Sequence, residues 1–554
     1  MIDKFTLEVI QNALVAIGDE MFVAMQRTSM SPIIYESLDY AVGLTSREGH
    51  LLAQGNGVTA FLACLDSVVQ STLEKYPQER ISPGDVFIAN TPYAGGGTHL
   101  SDVSIVMPIF FEEELIAFSV NKAHWTELGG TYPGSVSTVS TEVFQEGMHF
   151  PFIKIKDKGV LNEAILDMIR SNVRLPDSTL GDLFAGLAAA KVGAKRLVEL
   201  VAKYGRDSFF MAENAMLEYG EAMTIEALKK FPKGTFTGES FLEDDGFGNG
   251  PFPLKVTIHI SDQGMEVDFT GSHSQLQSPL NLSYTGLVTG VRSVFKAITT
   301  PHLPANGGAF RPLRVICEPG TVLSAQAPAA CSIYYETLIT AIDLVWRVLA
   351  EAIPGLLPAG HLRSVCATFI SGLHPDTNQF YVQAEPLAGG WGASEDHDGN
   401  RGQLSCGSGE SYNIPIEIRE MRYGLMVRQY AFHNEGGGYG EFQGGNGQYL
   451  DFEILSEEAF LTAAFLGAKT PTWGAEGGID GSFNYLVIIR KDGTEEPYSL
   501  VSNIRLEKGD VVRCVTATGG GYGNPKNRPK YKVLEDLKNG YITKEQAISH
   551  YLIS

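Results

Sequence analysis

Apolar residues recur along positions 5–28 at Leu7, Ile10, Leu14, Ile17 and Met21, in steps of three and four that place them on one helix face. From Asp39 to His124 the pattern changes to short β-rich runs, among them AVGLT, DVFIAN and VSIVMPIFF, separated by Gly and Pro turns. Helical spacing returns over 161–230 in three stretches, LNEAILDMI, GDLFAGLAAAKVGAKRLVELVAKYG and ENAMLEYGEAMTIEALKKF. Alternation then predicts strands within 254–270, a helix near 282–299, a strand at 313–318 and a helix over 334–353 that stops before Pro354. From about 362 to 520 strands and Gly-rich turns dominate. The last thirty residues carry two short helical patterns, one stopped at Gly540 and one capped by Thr543.

This order predicts an α+β chain of large, mixed, multi-domain architecture. Its expected parts are a helical N-terminal region with a β-hairpin over 1–230, a mixed α/β middle over 231–360, a β-rich region over 361–525 and a helical tail over 526–554. At 554 residues the chain is long enough for several cores. With 64 acidic against 42 basic residues its formal charge is -22, and its densest basic stretch, Lys526 to Lys532, holds only four cations in a Pro-broken tail. Nucleic acid and anionic membrane are therefore excluded as partners. Asp3, Glu8, Asp19 and Glu20 interrupt the first helix, which is read as neither a signal peptide nor a membrane span. The six cysteines form no CxxC pair and sit mostly in hydrophobic runs, as buried, reduced thiols of a cytoplasmic protein do.

The stretch TPYAGGGTHLSDVSIVMPIFFEEELIAFSVNKAHWTELGG, residues 91–130, carries the most chemistry. Strands 103–111 and 115–123 joined at Glu112–Glu114 form a hairpin, and pairing about a centre near 112.5 sets Asp102 opposite Ala123. His124 then lies beside Asp102, with His99 one short turn away. Two imidazoles and a carboxylate at a hairpin mouth are the ligands of a catalytic zinc with an open position, or of a two-histidine, one-carboxylate manganese or iron site. A fourth ligand can come from Glu36 or Asp39 in SPIIYESLDYAVG. Elsewhere there is no GxxxxGK[ST] phosphate loop and no recognisable nucleophile turn. The runs HNEGGGYGEFQGGNG and TATGGGYGNP read as tight turns rather than anion cradles. The acidic loop GGWGASEDHDGNRG offers Trp391 as a substrate cover.

The chain resembles the hydantoinase B family, the metal-bearing subunit of ATP-dependent hydantoinases, lactamases and oxoprolinases, related to acetone and acetophenone carboxylase subunits. The resemblance rests on TLEVIQNAL, ISPGDVFIANTPYAGGGTHLSDVSIV, TEVFQEG, NVRLPDSTLGDL, PANGGAFRPL, the GGWGA loop, GEFQGGNG and GGGYGNP, in order along nearly the whole sequence. It implies a divalent metal, zinc first and manganese second, on His99, Asp102 and His124, with Asp39 as fourth ligand and Glu36 as the alternative. Two departures are visible. Glu127 stands where relatives commonly carry Asp, and Ile34, Tyr35, Glu36 and Ser37 replace a Lys-Glu-Arg-type segment.

The resemblance further implies a division of labour within a hetero-oligomer. An actin-like hydantoinase A-type partner binds ATP and Mg and phosphorylates a small cyclic amide of the hydantoin, lactam or oxoproline type. The present chain then directs metal-activated water onto the activated carbon, with Glu127 or Glu146 as proton acceptor. The alternatives are a subunit of an ATP-dependent ketone carboxylase and a noncatalytic scaffold for the ATPase.

Overall fold

A computed structural model describes residues 2–553. The first helix, α1 (Lys4–Thr28), begins at Asp3, whose carboxylate accepts from the Thr6 N–H at 3.0 Å, and buries Ile10, Leu14, Ile17, Met21 and Met25 on one face. The short helix α2 (Pro32–Tyr35) follows, with Pro32 at its first turn.

The N-terminal sheet is built from β1 (Tyr40–Ser46), β2 (Leu51–Gln54), β3 (Val86–Ala89), β4 (Asp102–Phe111), β5 (Glu114–His124), β6 (Ile153–Asp157) and β7 (Val160–Leu161). Its order is β2-β1-β5-β4-β3-β6-β7, antiparallel throughout. Side chains alternate between two buried faces. Tyr40, Val42, Val103, Ile105 and Ala123 join the core under α1 and α5 (Pro176–Tyr204). Ala41, Val106, Phe118 and Val120 join the core beside α3 (Cys64–Lys75). Helix α5 comes close because it is glycine-bearing: a Cβ on Gly193 would lie 2.4 Å from the Met21 sulfur and 2.5 Å from the Ser119 hydroxyl. Two further helices, α4 (Glu163–Asn172) and α6 (Arg206–Leu228), complete the helical segment expected over 161–230.

The second core continues into a four-stranded sheet, β8 (Gly234–Leu242), β9 (Phe252–Ile260), β10 (Met265–Asp268) and β11 (Leu313–Ile316), and into α7 (Tyr284–Thr299) and α8 (Tyr334–Ala352). Only β10 and β11 run parallel in that sheet. Two antiparallel sheets make up the β-rich half. One has β12 (Ala367–Leu373) and β13 (Phe380–Glu385) beside two later strands at Glu458–Ala464 and Leu500–Glu507; the other has five strands between Leu425 and Val515. In the tail, Thr543 and Gln546 form a reciprocal cap, and Gly540 takes a φ of 73° just beyond the preceding helix. All six cysteines are free. Among the described residues no helix is long and apolar enough to cross a membrane.

The hairpin differs from the sequence expectation by one residue. Phe111 pairs with Glu114 about the turn Glu112–Glu113, but Ile109 pairs with Ala117 and Phe110 with Leu115, leaving Ile116 as an extra residue on β5. This bulge shifts everything beyond it, so Asp102 faces His124 and Val103 faces Ala123. Counting from the turn assumes an unbroken ladder, which is why it set Asp102 opposite Ala123.

Candidate metal centre

The centre lies where β1, β4 and β5 end together. Asp102 opens β4, His124 closes β5 and Asp39 immediately precedes β1, whose Tyr40 pairs with Ala123. Strand alternation turns Asp102 and His124 to the face opposite Val103 and Ala123, toward α8. His99 comes from the loop before β4, and the Asp102 N–H donates back to the His99 carbonyl at 3.2 Å. The His124 N–H donates to the Asp39 carbonyl at 3.0 Å and fixes the third strand end beside the other two.

Three ligand atoms converge there. His99 Nε2 and Asp102 Oδ1 are 3.0 Å apart, His99 Nε2 and His124 Nδ1 are 3.1 Å apart, and His124 Nδ1 and Asp102 Oδ1 are 3.3 Å apart. His99, Asp102 and His124 are buried. The bonds around His99 and Asp102 leave their converging atoms turned toward one another and His124. His99 Nδ1 donates to the Ser332 carbonyl at 2.8 Å, which leaves Nε2 as a lone pair. Asp102 Oδ2 is filled by the Thr98 hydroxyl at 2.6 Å and the Tyr334 hydroxyl at 2.9 Å, so only Oδ1 faces the imidazoles. Burial would raise the Asp102 pKa, but His99, His124 and Lys122 hold it well below the usual carboxylate range. Donor atoms about 2.0–2.2 Å from a zinc-like ion are separated by roughly 3–3.5 Å. The triangle therefore fits a divalent ion. Without one, the converging imidazole and carboxylate atoms have only one another as partners, out of water's reach.

Lys122 stands behind the triad. Its Nζ donates to the Gly96 carbonyl at 3.0 Å and the Asp102 carbonyl at 2.9 Å, and lies 5.5 Å from the centroid of the Phe61 ring. It thus ties the glycine loop before His99 to the first residue of β4.

His99, Asp102, His124 and Asp39 border one cavity, in which the space not filled by protein atoms is about 670 Å³. The remaining wall is mainly apolar, with Val58, Phe61, Leu338, Ile339 and Phe369, and among the described residues no Lys or Arg belongs to it. Burial pushes the Asp39 carboxyl up to about 6, with His124 acting against the shift. Glu36 caps the C-terminal end of α2, is partly exposed and does not border the cavity.

The sequence profile of the hydantoinase B/oxoprolinase family matches residues 3–525. The chain belongs to that family. It is 31% identical to the B-type component of a putative D-/L-hydantoinase from Pseudomonas sp. (strain NS671), over 99% of this chain and 95% of that protein. The crystal structure of an ATP-dependent caprolactamase from Pseudomonas jessenii superposes with a TM-score of 0.93 at 28% identity, covering 100% of this chain and 96% of that one. A nucleotide-free acetone carboxylase structure superposes with a TM-score of 0.91 at 18% identity, over 99% of this chain and 79% of that one, and so shares the fold.

In this member of the hydantoinase B/oxoprolinase family the two other candidate acids sit in the loop after β5. Glu127 accepts from the N–H of Gly129 at 2.6 Å and of Gly134 at 3.0 Å, from the Ser135 hydroxyl at 3.0 Å and from Arg174 at 2.9 Å. Glu146 accepts from the N–H groups of Cys331 and Ser332 and from the Ser140 hydroxyl at 2.8 Å, while burial pushes its carboxyl up to about 7. Neither borders the cavity. Glu146 holds Ser332, whose carbonyl holds His99, so it stands one peptide behind the triad.

Trp391 does not border the cavity either. Its Nε1–H donates to the Leu404 carbonyl at 2.8 Å, and its ring packs on His361 and Trp346. The neighbouring glycines serve backbone packing: a Cβ on Gly519 would lie 2.1 Å from the Trp391 carbonyl oxygen, and one on Gly444 would lie 2.0 Å from that of Gly519. Sequence reasoning missed Tyr334, Ser332 and Lys122. Only Lys122 carries a local signal, because two residues before His124 on a strand is the same face; the other two arrive from more than two hundred residues away.

Proposed function

We propose that this chain is the metal-bearing subunit of an ATP-dependent hydrolase of cyclic amides, acting with a hydantoinase A-type, actin-like ATPase. The observation that carries the reading is the convergence of His99 Nε2, Asp102 Oδ1 and His124 Nδ1 beside a mainly apolar cavity, with the other polar atoms of His99 and Asp102 already engaged. The hydantoinase component and the caprolactamase among its relatives support the substrate class and the need for a second subunit. The missing GxxxxGK[ST] loop is consistent with nucleotide chemistry on the partner.

His99, Asp102 and His124 would hold a divalent ion, with zinc as first choice and manganese as second; Asp39, just before β1, borders the same cavity but lies outside the converging triad. When bound, such an ion lowers the pKa of water and so supplies a nucleophile at neutral pH. The chain's own groups prepare the place. Ser332 fixes the His99 tautomer, Tyr334 and Thr98 orient the Asp102 carboxylate, and Glu146 anchors the segment that presents Ser332. The apolar wall seats the body of a ring and excludes bulk water from its activated carbon.

The test is ATP-dependent ring opening on hydantoin, lactam and oxoproline substrates, with the chain alone and with its ATPase partner. Turnover only in the two-subunit complex is expected. Turnover by the chain alone, or a complex that opens no ring and instead carboxylates a ketone, overturns the reading.

A further inference from the structure

Two tyrosines open α8 side by side, and both border the cavity. Successive residues on a helix diverge by about 100°, and the two hydroxyls have different fates. That of Tyr334 is spent on Asp102, at 2.9 Å. That of Tyr335 is enclosed and has no hydrogen-bond partner. The Tyr335 ring meets the His99 ring edge-on at 6.2 Å and the Tyr334 ring at 5.8 Å, and the residue lines the same cavity as the triad.

An enclosed hydroxyl left unpaired is destabilising, and nearly all such groups in folded proteins find a partner. Phenylalanine would fill the same space without that penalty. The wall is mainly apolar, and the acceptors it does carry, on Asp39, Glu385, Ser408 and Ser411, form no hydrogen bond with this hydroxyl. The missing partner must therefore arrive with whatever fills the cavity. A phenol O–H donates most strongly to oxygen, and more strongly still to an oxygen that carries charge.

We propose that the Tyr335 hydroxyl is a substrate-facing hydrogen-bond donor, engaging the amide oxygen of the bound ring or the phosphoryl oxygen attached to it after activation. The assignment rests on reading the site as a cyclic-amide hydrolase. It gives the two tyrosines separate roles, in which Tyr334 orients a ligand carboxylate and Tyr335 orients the substrate. It also makes Tyr335 a determinant of specificity, because a site built to donate to a substrate oxygen rejects an analogue that lacks it.

The experiment is Tyr335→Phe in the complete two-subunit complex, with kcat/KM for ATP-dependent ring opening, melting temperature and metal content measured on one preparation. The expected result is a loss of about tenfold to a hundredfold in kcat/KM, metal content equal to wild type, and a melting temperature unchanged or raised. Turnover within about twofold of wild type would mean that the hydroxyl meets only water and overturns the proposal. A fall in melting temperature or metal content accompanying the lost turnover would make Tyr335 structural and also overturn it. If the wild-type complex opens no ring at all, the functional reading fails and this assignment fails with it; an active wild type beside an equally active variant is the failure of Tyr335 alone.

Discussion

The mouth of the β4–β5 hairpin and the loop that follows it, residues 127–146, are alike in residue type and burial yet opposite in how their hydrogen-bonding capacity is used. Asp102, Glu127 and Glu146 are all buried carboxylates. In Asp102 one oxygen is occupied by Thr98 and Tyr334 and the other is turned toward two imidazole nitrogens at the cavity. In Glu127 both oxygens are consumed by the turn Gly129–Ser135 and Arg174, and in Glu146 by Cys331, Ser332 and Ser140. Burial and acidity do not by themselves mark a reacting group. What sets Asp102 apart is that one of its oxygens faces two imidazole nitrogens beside the cavity.

The largest effect should come from the hairpin side. Asp102→Asn keeps the size of the side chain but removes the negative charge facing the centre, so metal affinity and ring-opening turnover should each fall at least about a hundredfold while the metal-free fold survives. A folded, metal-replete and active variant would remove Asp102 from the ligand set. On the loop side the effect should be on stability. Glu127→Gln weakens the pair with Arg174 and one or more turn hydrogen bonds, which costs about 1–3 kcal/mol in denaturant unfolding and leaves metal content unchanged. Unaltered stability with turnover lost would move Glu127 from the loop to the chemistry.

Glu146 gives a pH-dependent signal. Its carboxyl is raised from 4.5 to about 7 in the folded chain, chiefly by burial, so the folded state keeps a proton that the unfolded state has released between those values. That contribution to stability is present at low pH and is lost as pH rises through the window. Glu146→Gln cannot ionise, so wild type should lose stability relative to the variant from about pH 4.5 to 7, by a few kcal/mol at most. Parallel stability–pH curves would show that Glu146 does not titrate there. The smallest effect belongs to Trp391→Phe, which forfeits one hydrogen bond to Leu404 at a cost of about 1 kcal/mol and should change kcat/KM by less than about twofold. A collapse of turnover with the fold intact would bring the Gly-rich loop to the substrate after all.

The long helices outside residues 39–124 were legible because each has a continuous apolar face, as in Ile10, Leu14, Ile17 and Met21 of α1, or a local stop such as Gly540. Helix α3 (Cys64–Lys75) was not, because it interrupts a stretch whose flanking runs read as strands. The hairpin and the convergence of His99, Asp102 and His124 were legible because strand runs and histidines lie within one short segment. The register was not, since a single extra residue at Ile116 leaves no mark in composition or alternation strong enough to locate it. The supports were not legible either. Tyr334 meets Asp102, and Ser332 meets His99, across more than two hundred residues of chain that only tertiary packing brings together. Glu127 and Glu146 stood out through nearness in sequence to His124, a criterion blind to the direction their carboxylates take.

Elemental analysis of the purified chain and of a His99→Ala/His124→Ala double variant tests the metal centre most directly. The wild type should carry about one divalent ion per chain and the folded double variant about a tenth of that or less, because imidazole ligands supply two of the three converging atoms. Equal metal in the two proteins would contradict the assignment of His99, Asp102 and His124 as the site.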